Sequence, residues 1–196
     1  MLMKISKISI FATAICALLL TACNTTGNVT SGPAKVSDTA NSLKDEAEVI
    51  VSTLEDEEYD RSTNHMEGYV SREEFNEDKN IILRKISELD AIMKAYDYAS
   101  WVKYVDQESI EYWSSTKNLH NAAQKLPVKG LRLDSLRDYF RYIFVQARVG
   151  KKIDEIRYES KTSVKAVQVR EDQDVVYYFF HKIDGVWYVH LQPLDD

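Results

Sequence analysis

The sequence predicts an α+β domain in which N-terminal helices pack on a curved four-stranded antiparallel meander, and three observations lead there. Apolar residues recur at helical spacing between residues 75 and 147. After residue 152 the period changes to two, in four short runs rich in Val, Ile, Tyr and Phe. Asp184-Gly185 joins the last two runs, and both residues tolerate the positive φ that a type I′ hairpin turn demands. A chain of 196 residues with 44% hydrophobic content is long enough for one such domain plus extensions. A net charge of -6 argues against a general nucleic-acid binder. Two cysteines cannot build a disulfide framework or a four-cysteine zinc site.

The extension comes first. Residues 1–7 carry Lys4 and Lys7 and no acid, and an apolar run follows over residues 8–20. These are the n-region and h-region of a secretory signal, and the run falls short of the ~20 residues a spanning helix needs. Residues 1–22 are therefore expected to be a cleaved signal peptide. The run ends in Leu20-Thr21-Ala22-Cys23, which resembles the bacterial lipobox. That resemblance implies a diacylglycerol on the Cys23 thiol, cleavage just before it and, often, acylation of the new amine. At ~0.8 kcal/mol per buried methylene, two or three acyl chains anchor a protein durably. Asn24, in place of the Asp that often retains lipoproteins at the inner membrane, favours the outer membrane, with the domain facing the periplasm or the surface.

Residues 23–42 are mostly Thr, Ser, Asn, Gly and Ala and cannot offset the entropy of ordering, so they are expected to form a lipidated flexible tether reaching roughly 25 Å. Residues 43–70 read as an acidic helical spacer and loop. Leu43, Ala47, Ile50 and Leu54 form one narrow stripe, with Ser42 as the expected N-cap. Over residues 43–79 thirteen acids face four bases, and this stretch carries the chain's charge asymmetry.

The α+β domain is expected over residues 71–196. Ser71-Arg72-Glu73-Glu74 is a capping box, and Phe75, Ile82, Ile86, Leu89, Met93 and Tyr96 give the helix after it an inward face. A second helical stretch turns Tyr98, Trp101, Val102 and Val105 inward. Asp106 caps a short helix carrying Ile110, Tyr112 and Trp113. Residues 114–134 read as an irregular crossover with one weak helix, broken by Pro127 and Gly130. Ser135 opens a strong helix with Leu136, Tyr139, Phe140, Ile143, Phe144 and Ala147 inward, ended by Gly150. Strands follow at residues 153–159, 163–170, 174–183 and 186–192.

The two-residue turn fixes the register of the last hairpin, pairing Ile183 with Val186. One sheet face then collects Lys182, Phe180, Tyr178, Trp187, Val189 and Leu191, and should receive the helices. The other collects Tyr177, Phe179, His181, Tyr188 and His190, aromatic bodies with polar tips of the kind found at protein interfaces.

Helices first, a Trp/Tyr-rich second helix (Tyr98-Ala99-Ser100-Trp101-Val102-Lys103-Tyr104), a later helix and a meander ending in Gly185-Val186-Trp187-Tyr188-Val189 together resemble the nuclear transport factor two-like superfamily, also called cystatin-like or ketosteroid-isomerase-like. The likeness covers about residues 71–194 and is architectural. It implies a conical pocket between helices and sheet, for which Trp101, Tyr104, Trp113, Tyr139, Tyr178, Phe180 and Trp187 are the candidate lining. The family usually places a strand or hairpin between its second and third helices; here only Leu131 to Leu133 could supply one.

An isomerase-like enzyme needs an inward carboxylate as base. Tyr139 and Tyr142 could donate to an oxyanion, but no acid is read amid an apolar inward run, and Asp138 in a first helical turn is explained by the macrodipole. Residues 63–74 resemble part of a calcium loop, with Gly68 at its turn and Glu67 and Glu74 as the metal-ligand candidates, though Thr63 and His65 stand where oxygen-rich ligands are expected. The four histidines are scattered in sequence, without metal-hydrolase spacing. The reading is a membrane-anchored envelope lipoprotein whose domain binds a protein or ligand without catalysis or cofactor. Its partners are the membrane, through the N-terminal lipid, and a protein or second copy through the sheet, with no nucleic acid. The alternatives are a ketosteroid-isomerase-like enzyme or small-molecule carrier, and a calcium-binding loop.

Overall fold

The computed structural model describes residues 37–128, 130–171 and 173–193, with side chains from residue 50 onward. The signal segment, Cys23 and the expected tether as far as residue 36 lie outside the described residues. The chain divides between Asn41 and Ser42, and the second unit, Ser42–Asp196, carries the fold.

Helix α1 spans Ser37–Thr63. It starts inside the stretch expected to be tether, and Ser42 lies within the helix instead of capping it. Once a helix is nucleated each further residue adds a backbone hydrogen bond, so polar flanks can join it. The stripe that predicts this helix does not bury its middle: Ile50, Val51 and Leu54 are each more than half exposed. Docking is left to the last turns. The Tyr59 ring meets Phe75 edge-on at 5.5 Å and its hydroxyl donates to the Val70 carbonyl (2.6 Å). Lys79 pairs with Glu58 (2.6 Å), and Arg72 pairs with Asp56.

Helix α2 (Arg72–Lys94) begins as its capping sequence requires, with the Ser71 hydroxyl accepting from the Glu74 amide (3.2 Å). Phe75, Ile82, Ile86, Leu89 and Met93 are buried. Tyr96 leaves the expected inward face: the helix ends at Lys94 and Tyr96 takes φ +53, which turns its ring to solvent. Next come α3 (Tyr98–Trp101, continued by a 3-10 turn Val102–Tyr104), α4 (Gln107–Trp113, capped by Asp106) and α5 (Thr116–Lys125). Among the described residues of 114–134 there is no strand, and Leu133 is a core residue.

The last helix, α6, is composed of Leu136–Tyr139, a π-helical turn Phe140–Phe144 and Val145–Arg148. The wider π turn inserts the equivalent of one residue and rotates everything after it. Leu136, Tyr139, Phe140 and Phe144 face inward as the periodicity predicts, but beyond them Val145 is buried and Ala147 is exposed.

Strands β1 (Glu155–Ser160), β2 (Ser163–Gln168), β3 (Val175–Ile183) and β4 (Val186–His190) form one antiparallel sheet in sequential order. The β3–β4 turn has φ +49 at Asp184 and φ +80 at Gly185, and Ile183 pairs with Val186 as expected. The inner face carries Ile156, Tyr158, Val164, Ala166, Tyr178, Phe180, Trp187 and Val189, all buried. Each edge strand is contacted at one point from outside the sheet. Ser62 at the end of α1 donates to the Ile156 carbonyl (2.6 Å) on one side, and on the other Val105 bridges Val189 while the Asp106 amide donates to the Val189 carbonyl (3.0 Å).

Candidate functional site

The candidate pocket residues are part of the core. Trp101, Trp113, Tyr139, Tyr178, Phe180 and Trp187 are all at most 6% exposed, and they pack on one another and on Phe140 and Phe144. Tyr104 is half-buried on the α2 side, where its hydroxyl donates to Glu88 (2.8 Å). None of these seven lines any of the surface grooves described below.

Two features of this interior escape sequence reasoning. The first is Asp78, a buried carboxylate on the inward face of α2 between Phe75 and Ile82, which corrects the reading that no acid lies amid an apolar inward run. Its Oδ2 accepts from the Tyr158 hydroxyl (2.8 Å) and its Oδ1 from Trp187 Nε1 (2.8 Å) and Lys182 Nζ (3.0 Å). Burial, followed by the hydrogen bond to Asp78, raises the Tyr158 phenol well above its ordinary value. The three-residue step from Phe75 and four-residue step to Ile82 already put Asp78 on that face, so the signal was present.

The second is Arg148, turned inward by the π turn. Its guanidinium lies 4.3 Å from the Phe144 ring centroid and 5.5 Å from that of Tyr178, and its Nε donates to the Tyr177 carbonyl (2.6 Å). No carboxylate among the described residues lies within ion-pair distance of it. Burial depresses its basicity, and burial pushes the Tyr178 phenol up to about 12.

The outer face is organised by register. Arg157, Lys165, Phe179 and His190 are successive cross-strand partners and form one row across all four strands. Ser163, His181 and Tyr188 form the next. Phe179, His181, Tyr188 and His190 are half-buried and fall in these two rows, whereas Tyr177 is also half-buried but lies at the β2–β3 register shift and packs against the core. At the β1 end of this face a groove of about 760 Å³ is lined by Arg61, His65, Arg157, Lys165 and Arg170, with Glu159 and Asp174 among them. Its cations are largely matched: Arg61 bonds Glu155 (2.9 Å), Arg157 bonds Asp174 (2.9 Å), and Lys165 bonds Glu159 (2.5 Å).

At the β4 end, His190 and His181 stack with ring centroids 3.9 Å apart and planes 16° from parallel, over the buried carboxylate of Asp106. His190 Nδ1 donates to Asp106 Oδ2 (2.8 Å), an assignment that follows from the carboxylate having no proton to give. His181 Nδ1 is 4.0 Å from the same oxygen. The other Asp106 oxygen accepts from the Ser109 amide (2.7 Å), capping α4. Burial alone would raise the Asp106 carboxyl, but its bonds to His190 and to the Ser109 hydroxyl and amide outweigh burial and hold it below the usual range. The hydrogen bond to Asp106 raises His190, whereas burial first and the neighbouring His190 second lower His181.

This arrangement is not a nucleophilic triad. Ser109 Oγ approaches the same His190 nitrogen that Asp106 occupies (3.3 Å), and it is buried and already accepts from the Leu191 amide (2.8 Å). The register places His181 and His190 diagonally on one face; only the distant Asp106 was beyond sequence reasoning. Of the remaining candidates, Glu67 is exposed and Glu74 half-buried, and neither joins a group of three ligand side chains among the described residues. His65 and His120 are exposed and apart from the pair.

No protein-family model matches the chain, and no solved structure does. No described helix is long and apolar enough to cross a membrane. The chain is similar to an uncharacterized lipoprotein of Treponema pallidum (strain Nichols), with 29% identity over 118 residues, and the match spans 60% of this chain and 63% of that protein's own length.

Proposed function

We propose that the chain is a bacterial envelope lipoprotein, anchored through acylated Cys23, whose domain is a non-catalytic binding module that engages its partner with the outer face of the sheet. The anchor is supported by the lipobox-like Leu20-Thr21-Ala22-Cys23 behind a short apolar run, and by the likeness to a protein described as a lipoprotein. Asn24 favours the outer membrane. The arrangement of helices before a meander supports a nuclear transport factor two-like, or cystatin-like, fold whose interior is filled by side chains.

The observation that carries the binding reading is the aromatic and polar composition of the outer face of β3 and β4. Phe179 and Tyr188 present half-buried aromatic bodies on the outer face of β3 and β4. Such residues supply apolar contact area and a hydrogen-bonding tip together, a composition suited to a partner that must also survive alone in water. The module reads as non-catalytic because the two buried carboxylates, Asp78 and Asp106, are both engaged by internal donors. A photo-crosslinking residue at Tyr177 or Tyr188 of the full chain, expressed in its host, should give a discrete adduct that the same probe at exposed Tyr142 does not. Equal yields at all three positions would refute the assignment of the face. Fractionation tests the anchor: C23S should leave the membrane fraction.

A further inference from the structure

We propose that Asp106, His181 and His190 form a binding site for a divalent transition metal ion of the zinc type. The site does not rest on the reading of the sheet as a partner surface and is tested without any partner.

The Asp106 to His190 hydrogen bond has a structural explanation, since it ties the segment before α4 to the edge of β4. His181 does not. Its ring lies nearly parallel on His190, with Nδ1 too far from Asp106 Oδ2 to make a hydrogen bond. One cation shared by all three side chains would give the His181 ring the partner it lacks. One donor atom from each of the three lies within 4.8 Å of the others, and the arrangement is unique in this respect among the described residues.

The donor set selects the ion. Two imidazole nitrogens and one carboxylate oxygen suit zinc and its neighbours, whereas calcium and magnesium take oxygen ligands. Neighbouring donors on a tetrahedral zinc stand about 3.3 Å apart. The observed separations of 2.8 Å and 4.0 Å lie on either side of that value, so side-chain torsions can close the site without moving the strands. Asp106 is held from behind by the Ser109 amide, which supplies the outer bond that orients a ligand. Glu108 and Glu159 add negative potential. The metal takes the place of the proton between His190 and Asp106, which leaves to solvent. His181 is about one-third exposed, so a fourth position stays open on the solvent side.

The test titrates Zn²⁺ into the full chain in detergent, followed by calorimetry and thermal melting. The expected result is saturable binding of a single ion with a rise in melting temperature, and affinity lower by roughly tenfold or more in H181Q. H181Q changes a half-exposed side chain and spares the Asp106 to His190 bond, and its melting without metal confirms that it folds. H65Q and H120Q should bind as the unaltered chain does. Equal binding by H181Q, a loss shared by H65Q or H120Q, or no saturable binding at all would overturn the site.

Discussion

Two carboxylates, Asp78 and Asp106, are buried to the same degree, on opposite sides of one sheet, and they live in different chemistry. Asp78 faces the core and is bonded by a phenol, an indole and an ammonium from three strands. Asp106 reaches over the outer face and is bonded by a histidine, with a second histidine stacked on it. A buried charge with a permanent cation is architecture. A buried charge whose partners titrate and reach solvent is adjustable.

The sharpest way to break this comparison is to delete each acid. D78A leaves the Lys182 ammonium, the Tyr158 hydroxyl and the Trp187 N–H without their acceptor, and should cost about 3–5 kcal/mol of unfolding free energy. D106A removes the α4 cap and the His190 bond, and should cost about 2–3 kcal/mol. Urea midpoints of the two variants, at matched pH and with chelator present, measure the order; a larger loss in D106A would reverse it.

The difference in partners also predicts opposite pH signatures. The raised folded-state affinity of His190 for its proton stabilises the fold below the ordinary histidine value of ~6.5, and that contribution is lost as pH rises through the folded value. His181 is lowered, so its contribution is present above ~6.5 and is lost as pH falls through its folded value. In chelator, H190Q should therefore gain relative to the unaltered chain as pH rises from 6 to 8, and H181Q should gain as pH falls over the same range. Urea midpoints across that range check both signs; parallel curves for all three chains would contradict them.

The smallest expected effect on stability is at the aromatic surface. Y177S and Y188S remove half-exposed rings from the outer face and should each change stability by only about 0.5–1 kcal/mol, while abolishing the crosslinks proposed above. A loss as large as that of D78A would mean that these rings hold the sheet together instead of presenting a surface.

What the residues disclosed in advance follows the range over which each signal acts. The Asp184-Gly185 turn is local and fixes five cross-strand pairs, so the two faces of β3 and β4 were legible. Ser71, Asp106 and Ser135 cap their helices through neighbours three residues away and were legible for the same reason. The π turn was not, because FRYIF carries no breaker, and missing it by one residue misplaced Ala147 and hid Arg148. Six of the seven pocket candidates are buried, Tyr104 being half-buried beside Glu88, but whether inward rings leave a cavity depends on how they interdigitate, which spacing does not encode. Asp106 meets His190 across eighty-four positions, brought together by tertiary contacts such as the bridge from Val105 to Val189 and the Asp106 amide's bond to the Val189 carbonyl.

The central claim is that the molecule works with the outer face of its sheet, and thiol labelling tests it most directly. The chain's own cysteines are Cys16 and Cys23, so in the lipidated protein a cysteine placed at Tyr188 is the single free thiol. In intact envelopes of the host, Y188C should be protected from a maleimide that labels it fully after purification, whereas Y142C on the helical side should react in both. Equal labelling of Y188C before and after purification, with protection at Y142C, would contradict the account.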